Sequence, residues 1–349
     1  IGYLYPDTNP QEFLDRLSHI TTIRQFQEEV ISAYVLKVIE KTTQSVTVEG
    51  LDKLSSDKAY LFISNHRDIV LDPAILNILL YQNGSNTTEI AIGDNLLIYP
   101  WITELVKLNR TFIVKRNLPV KQMMESSRLL SQYIRYTLTV NRHSIWIAQR
   151  EGRSKDGNDR TQVSLLKMLN ISGQHSVVEN FKELNIVPVS ISYEFDPCDY
   201  LKAKEFQLKR DNPDYQKTKD DDLMHMSTGL RGRKGRVHFA FGTPLQSELN
   251  VIDALTVKND QFSTLAELVD RQVHQNYKLW PSNYIAWDIY NSSTEYSSCY
   301  TAEEKVQFLE YIEDHINRIP EMDRDFIFSS LMEMYANPLE NKQSYSNDK

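Results

Sequence analysis

Glycine is scarce in this 349-residue chain, at 11 residues, against an average near ~7% in soluble proteins. Neither G-x-G-x-x-G nor G-x-x-x-x-G-K-[ST] occurs, so the Gly-rich cradles that hold nucleotide phosphates are disfavoured. Two cysteines, Cys198 and Cys299, cannot build a disulfide framework, and a reducing compartment is the default. No His/Cys cluster has the spacing of metal ligands, so no metal is expected. A membrane-crossing helix needs roughly 18 or more consecutive apolar residues, and the chain has no such run. It opens on Ile1 rather than Met, which leaves a missing or removed N-terminal segment open.

The net charge of -8 is unevenly spread. Residues 251–349 hold 8 Lys/Arg against 17 Asp/Glu, and the rest of the chain holds 31 against 30. An acidic segment therefore follows a near-neutral body. A globally basic nucleic-acid binder is excluded, and no nucleic acid is expected as partner.

Apolar residues recur near every 3.6 positions over 10–41, which predicts one long helix. Strand-like apolar runs follow at Tyr60–Ser64, Glu89–Ile92, Thr111–Lys115, Ser144–Ala148, Ile186–Tyr193 and Val237–Phe241. Helical patterns lie between most of them, at 72–82, 119–140, 162–170 and 177–184. This alternation predicts an α/β fold, a central mostly parallel sheet covered by helices, with an N-terminal helix and a C-terminal helical extension. Three parts are expected: an N-terminal helical segment at 1–54, a catalytic-type domain at 55–250 and an acidic helical extension at 251–349. The charged text from Leu201 to Gly235 reads as a solvated loop or helix face. Pro188 inside its apolar run suggests an edge strand or a bulge. The last ten residues read as loose.

Four constellations stand out, three of them polar and at strand ends. Ser64–Asp72 follows the first predicted strand and places His66 where ligands reach open α/β sheets. A histidine there suits general-base work, and a carboxylate fixes its tautomer. Asp72 is the preferred partner and Asp68 the rival, although i+6 lies ~120° around a regular helix, so Asp72 meets the imidazole only if the turn entering the helix is irregular. His66-Arg67-Asp68 also spells H-R-D of a kinase loop, but Pro73 stands where that loop needs Asn. Lys115 and Arg116 end a strand with two cations. Glu151-Gly152-Arg153-Ser154-Lys155 follows another, with Gly152 allowing close backbone approach and Arg153 and Lys155 able to clamp an anion. The apolar Ile186–Ile191 segment comes last.

In this order the pieces resemble the glycerophospholipid acyltransferases, the family of glycerol-3-phosphate and lysophosphatidic acid acyltransferases. The resemblance covers roughly residues 55–245. Asn65-His66-Arg67 is similar to its N-H-R-S-x-x-D motif, Phe112–Arg116 to its F-I-x-R strand, and Glu151–Ser154 to E-G-x-R-S. Ile186–Ile191 is similar to its V-P-V segment and Phe241–Leu245 to F-G-x-P-L. Two departures mark a divergent branch: five residues separate His66 from Asp72 instead of four, and Arg153 directly follows Gly152.

The resemblance implies transfer of a fatty acyl group from a thioester to a hydroxyl of glycerol 3-phosphate, lysophosphatidic acid or a related lysolipid, in membrane lipid biosynthesis. His66 is then the general base and Asp72 orients it. Lys115, Arg116, Glu151, Gly152, Arg153 and Lys155 face substrate. Backbone N–H groups after His66 are candidate oxyanion donors. No cofactor is implied, and acyl-CoA or acyl carrier protein serves as co-substrate. Basic residues at 202–210 and 231–236 suit docking of an acidic carrier protein or anionic lipid. Leu96–Ile102 is a candidate acyl-groove lining or lipid contact. A cytoplasmic location peripheral to the inner face of a membrane follows. The alternatives are a thioester or ester hydrolase on the same fold and a non-catalytic lipid-binding protein.

Overall fold

The computed structural model describes residues 9–116 and 118–346. Among the described residues seven strands form one sheet: β1 Thr43–Glu49, β2 Leu61–Ser64, β3 Glu89–Gly93, β4 Thr111–Val114, β5 Ile145–Ala148, β6 Ile186–Tyr193 and β7 Gly235–Phe241. Their order is β1-β7-β6-β2-β5-β3-β4. Every pairing is parallel except β6 with β7. The fold is α/β with a mostly parallel sheet between helices.

Strand periodicity explains the two-sided core. Leu61, Ile63, Ile145 and Ile147 face the helices Val120–Thr139, Val163–Asn170, Val177–Lys182 and Lys258–Gln275. Their alternates Phe62 and Trp146, with Val187, Val189 and Ile191, face the helices Ala33–Thr42 and Leu71–Gln82. Both faces are covered, as parallel sheets require. A second core joins Phe195, Tyr200 and Leu201 to the helices Pro281–Tyr290, Ala302–Asn317 and Arg324–Ser346. Among the described residues no helix is long and apolar enough to cross a membrane.

Five expectations are corrected. The helix expected over 10–41 is broken: Pro10–Ser18 stops, and Thr22 opens a new start through a capping box with Gln25. That start runs through Ile23–Phe26, a π-helical Gln27–Ser32 and Ala33–Thr42. Apolar period persists through a cap, so periodicity alone joined the two. β1 lies in the stretch read as helical; it is an edge strand, largely exposed and polar, and gave no apolar signal. Pro188 lies on neither an edge strand nor a bulge, since β6 pairs in regular register with β2 and β7 and is buried throughout. Its carbonyl accepts from Gly242 N at 2.8 Å, and the β6–β7 register begins only at Val189. The missing N–H therefore faces the side where the ladder has not started.

The charged stretch 201–235 is a solvated face only in part, exposed over 209–214 but with buried positions on either side. It forms the helices Asp199–Asp211 and Lys219–Arg231 and buries Lys202 and Lys234. The chain end is not loose up to Ser346, where the last helix finishes; residues 347–349 lie outside the described residues.

Candidate active site

β2 through β6 run in one direction, so the loops leaving their C-terminal ends meet at one edge of the sheet. The loop after β2 carries His66. Asn65 anchors it across the sheet: its Nδ2 donates to Ile191 O at 2.8 Å and its Oδ1 accepts from Ile191 N at 2.7 Å. The chain then turns irregularly before the helix begins at Leu71. That turn lets Asp72 reach back to the imidazole.

Asp72, fully buried, accepts three hydrogen bonds on Oδ2: from His66 Nδ1 at 2.8 Å, Arg67 N at 2.6 Å and Asp68 N at 3.0 Å. A carboxylate oxygen accepts, so Nδ1 carries the proton and Nε2 is the basic nitrogen. Asp68 does other work. Its Oδ1 accepts from Val70 N at 2.9 Å and Leu71 N at 2.8 Å, stopping orphan donors at the helix start. Burial raises its pKa against the opposing charge of Lys234. Helix Lys219–Arg231 comes so near that a Cβ at Gly229 would lie 2.1 Å from Asp68 Oδ2. These bonds also occupy the amides of residues 67, 68, 70 and 71, so none of the four is free to serve an oxyanion.

Behind the loop, Arg67 is buried and turned from the imidazole. Its guanidinium donates to Asp159 Oδ2 at 2.6 Å and lies 5.6 Å from the Tyr277 ring centre. His274 Nε2 lies 2.8 Å from Asp159 O. In front, His66 meets Trp146 edge-on at 5.3 Å between ring centres and lines a cleft of about 2020 Å³. Small-molecule sites span ~300–1,000 Å³, so this one has room for a long-chain ligand.

The other motif residues reach the same cleft. Lys115 is exposed on it. Arg116 stands 3.4 Å from Glu151 Oε1, linking the loops after β4 and β5. Gly152 has φ +71° and open space where a side chain would be. Arg153 Nη2 lies 2.8 Å from His225 Nδ1, and its buried Nη1 has no partner. Burial and the nearby Arg153 charge drive the His225 pKa far down, so this ring accepts as a neutral base. Lys155 pairs with Glu205, and burial lowers its pKa to about 8.

The turn carrying these residues is clamped by the last helix. A Cβ at Gly157, where φ is +71°, would fall 2.1 Å from Met334 O. Asn337 Nδ2 donates to Asp156 O at 2.6 Å. Pro338, inside that helix, cannot donate to Met334 O.

Apolar surface covers the rest of the cleft: Ile31, Tyr34 and Val35 from the N-terminal run, and Leu96, Tyr99, Trp101 and Ile102 after β3. Trp101 is 54% exposed. Of the basic segments, Lys202 is buried against Asp196, Arg233 covers the Phe195 ring at 4.6 Å, and Arg236 holds Glu194. Those three are engaged within the protein. Trp146, Glu205 and His225 escaped sequence reasoning, because their burial is a tertiary property. Asn65 was legible as part of the motif, but its hydrogen bonds to Ile191 were not.

The central strand of the mostly parallel sheet ends in a His–Asp pair over a large mixed cleft, and residues 45–192 match the family model described as Acyltransferase. That match covers under half of the chain and includes the His66, Arg116 and Glu151–Ser154 motifs. Among solved structures the chain is similar to the 1-acyl-sn-glycerophosphate (LPA) acyltransferase PlsC from Thermotoga maritima, at 13% identity and a TM-score of 0.43, covering 80% of this chain and 91% of that one. No curated protein matches it.

Proposed function

We propose that the protein transfers a fatty acyl group from a thioester to a hydroxyl of glycerol 3-phosphate, lysophosphatidic acid or a related lysolipid. The observation that carries this reading is the 2.8 Å contact of His66 Nδ1 with buried Asp72, beside a cleft lined by both cations and apolar side chains. His66 Nε2 takes the hydroxyl proton as that oxygen attacks the thioester carbonyl. Asp72 holds the tautomer and stabilises the imidazolium. The tetrahedral intermediate then expels the thiolate, which recovers the proton from His66. Atoms balance without an acyl-enzyme.

Arg116 and Arg153 hold the anionic head of the acceptor, with Lys115 at the rim and Gly152 giving backbone access. Glu151 sets the Arg116 side chain. The acyl chain lies along Ile31, Tyr34, Leu96 and Ile102, and exposed Tyr99 and Trp101 meet the lipid surface of the inner membrane face. The test is purified protein with glycerol 3-phosphate, lysophosphatidic acid or lyso-aminolipids, each offered acyl-CoA or acyl carrier protein, with His66→Ala as blank. New ester product that vanishes in the blank supports the reading. Thioester consumption without ester product marks a hydrolase instead.

A further inference from the structure

The cleft holds a second concentration of positive charge that the acceptor does not use. On the helix Asp199–Asp211, Glu205 is 3% exposed and serves three lysines. Lys155 comes from the turn after β5, Lys209 from one helical turn further at 2.9 Å, and Lys217 from the following link at 3.2 Å. All three lysines line the cleft. Fixing the turn to the helix needs one lysine on Glu205, not three. Although burial pushes Glu205 up, its lysines hold it at about 2, so it stays a single negative charge among three positive ones. Asp222, 3.7 Å from Lys217, offsets part of the surplus and also accepts from Asn95.

Position separates this cluster from the reacting centre. Lys202, on the same helix, bonds Arg67 O at 3.4 Å in the His66 loop. Lys209 is two helical turns on, ~10 Å along the axis at 1.5 Å per residue. The hydroxyl and phosphate of a glycerophosphate lie on one short glycerol unit and do not span such a gap. An acyl thioester does, because its phosphate ester ends a long pantetheine arm.

Resting on the acyl-transfer reading, we propose that Lys155, Lys209 and Lys217 bind the phosphate ester of the acyl donor, at the end of the pantetheine arm remote from the thioester. Two donors share that chemistry: coenzyme A, through its nucleotide phosphates, and a carrier protein, through its phosphodiester.

The experiment uses the full chain and a Lys209→Gln/Lys217→Gln double variant, which leaves Lys155 on Glu205, with thermal midpoints measured to show that both proteins are folded. KM is measured for acyl-CoA, acyl carrier protein and S-acyl pantetheine, which lacks phosphate. The double variant is expected to raise KM about tenfold for a phosphate-bearing donor, as loss of charge-assisted contacts implies, and the effect is to disappear with S-acyl pantetheine. The donor whose KM moves identifies the source. Unchanged KM for both phosphate-bearing donors, or a rise confined to the acceptor, overturns the proposal. If the wild type transfers no acyl group at all, the acyl-transfer reading fails by itself. Titration with 4′-phosphopantetheine against pantetheine then still decides the subsite: tighter binding of the phosphate form, lost in the variant, supports it, and equal binding overturns it.

Discussion

Helices flank the sheet from both ends of the chain, yet they meet the cleft differently. The N-terminal run from Arg24 to Val35 places side chains on the cleft wall, while among the described residues none lining the cleft lies beyond Leu230. The C-terminal helices work from behind. Tyr277 and His274 brace the Arg67–Asp159 pair under the His66 loop, and Asp270 accepts from Thr161 N and Oγ1 at 2.8 and 2.6 Å. The lesson concerns charge. The acidic extension supports the site without facing it, so its negative charges leave the cations of the cleft available to an anionic substrate.

Mutations should divide along the same line. His66→Ala, in the cleft, should cost about 10²–10⁴ in rate with little change in thermal midpoint; a folded variant retaining near-wild-type turnover would sink the general-base role. Asp159→Ala leaves Arg67 buried without its carboxylate, at about 3–5 kcal/mol, read by denaturant titration. Because that pair lies under the His66 loop, activity should fall as well, so it shows how far the bracing side reaches. Ile327→Ala, in the second core, should cost ~2–5 kcal/mol of stability while KM for both substrates holds. Ile31→Trp fills the cleft wall, so rates should fall first for the longest acyl chains in a chain-length series; a uniform fall would break the division.

The smallest effect tests Asp270. Burial raises its pKa to about 6, above the ~3.9 of a free Asp. Its contribution is then fully present below the unfolded value and lost as pH rises through about 6. Asp270→Asn, which keeps an acceptor for Thr161, should flatten the stability curve between pH ~4 and ~6. Parallel curves for the two proteins would rule this out.

Much of this was legible in the residues. β2, β5 and β6 were visible as short apolar runs because both their faces are buried. β1 was not, since an exposed edge strand such as Thr43–Glu49 carries no burial pattern. The three strand-end constellations were legible as candidates, and parallel pairing gathers them at one edge. The choice between Asp72 and Asp68 was not legible, because it depends on an irregular turn that no periodicity encodes. Nor was the Glu205 cluster, whose members look like any charged run until one carboxylate is buried among three lysines.

Pro338 and Gly157 carry a last consequence. The carbonyl that the proline leaves without its helical donor is Met334 O, the same atom that excludes a side chain at Gly157. The helix irregularity and the turn conformation are thus two halves of one joint, built from segments far apart in the sequence. Replacing either residue alone should strain the joint, and the penalties should fail to add in a double substitution. Such coupling would let a change near the chain's end alter the turn that carries Arg153 without touching the cleft.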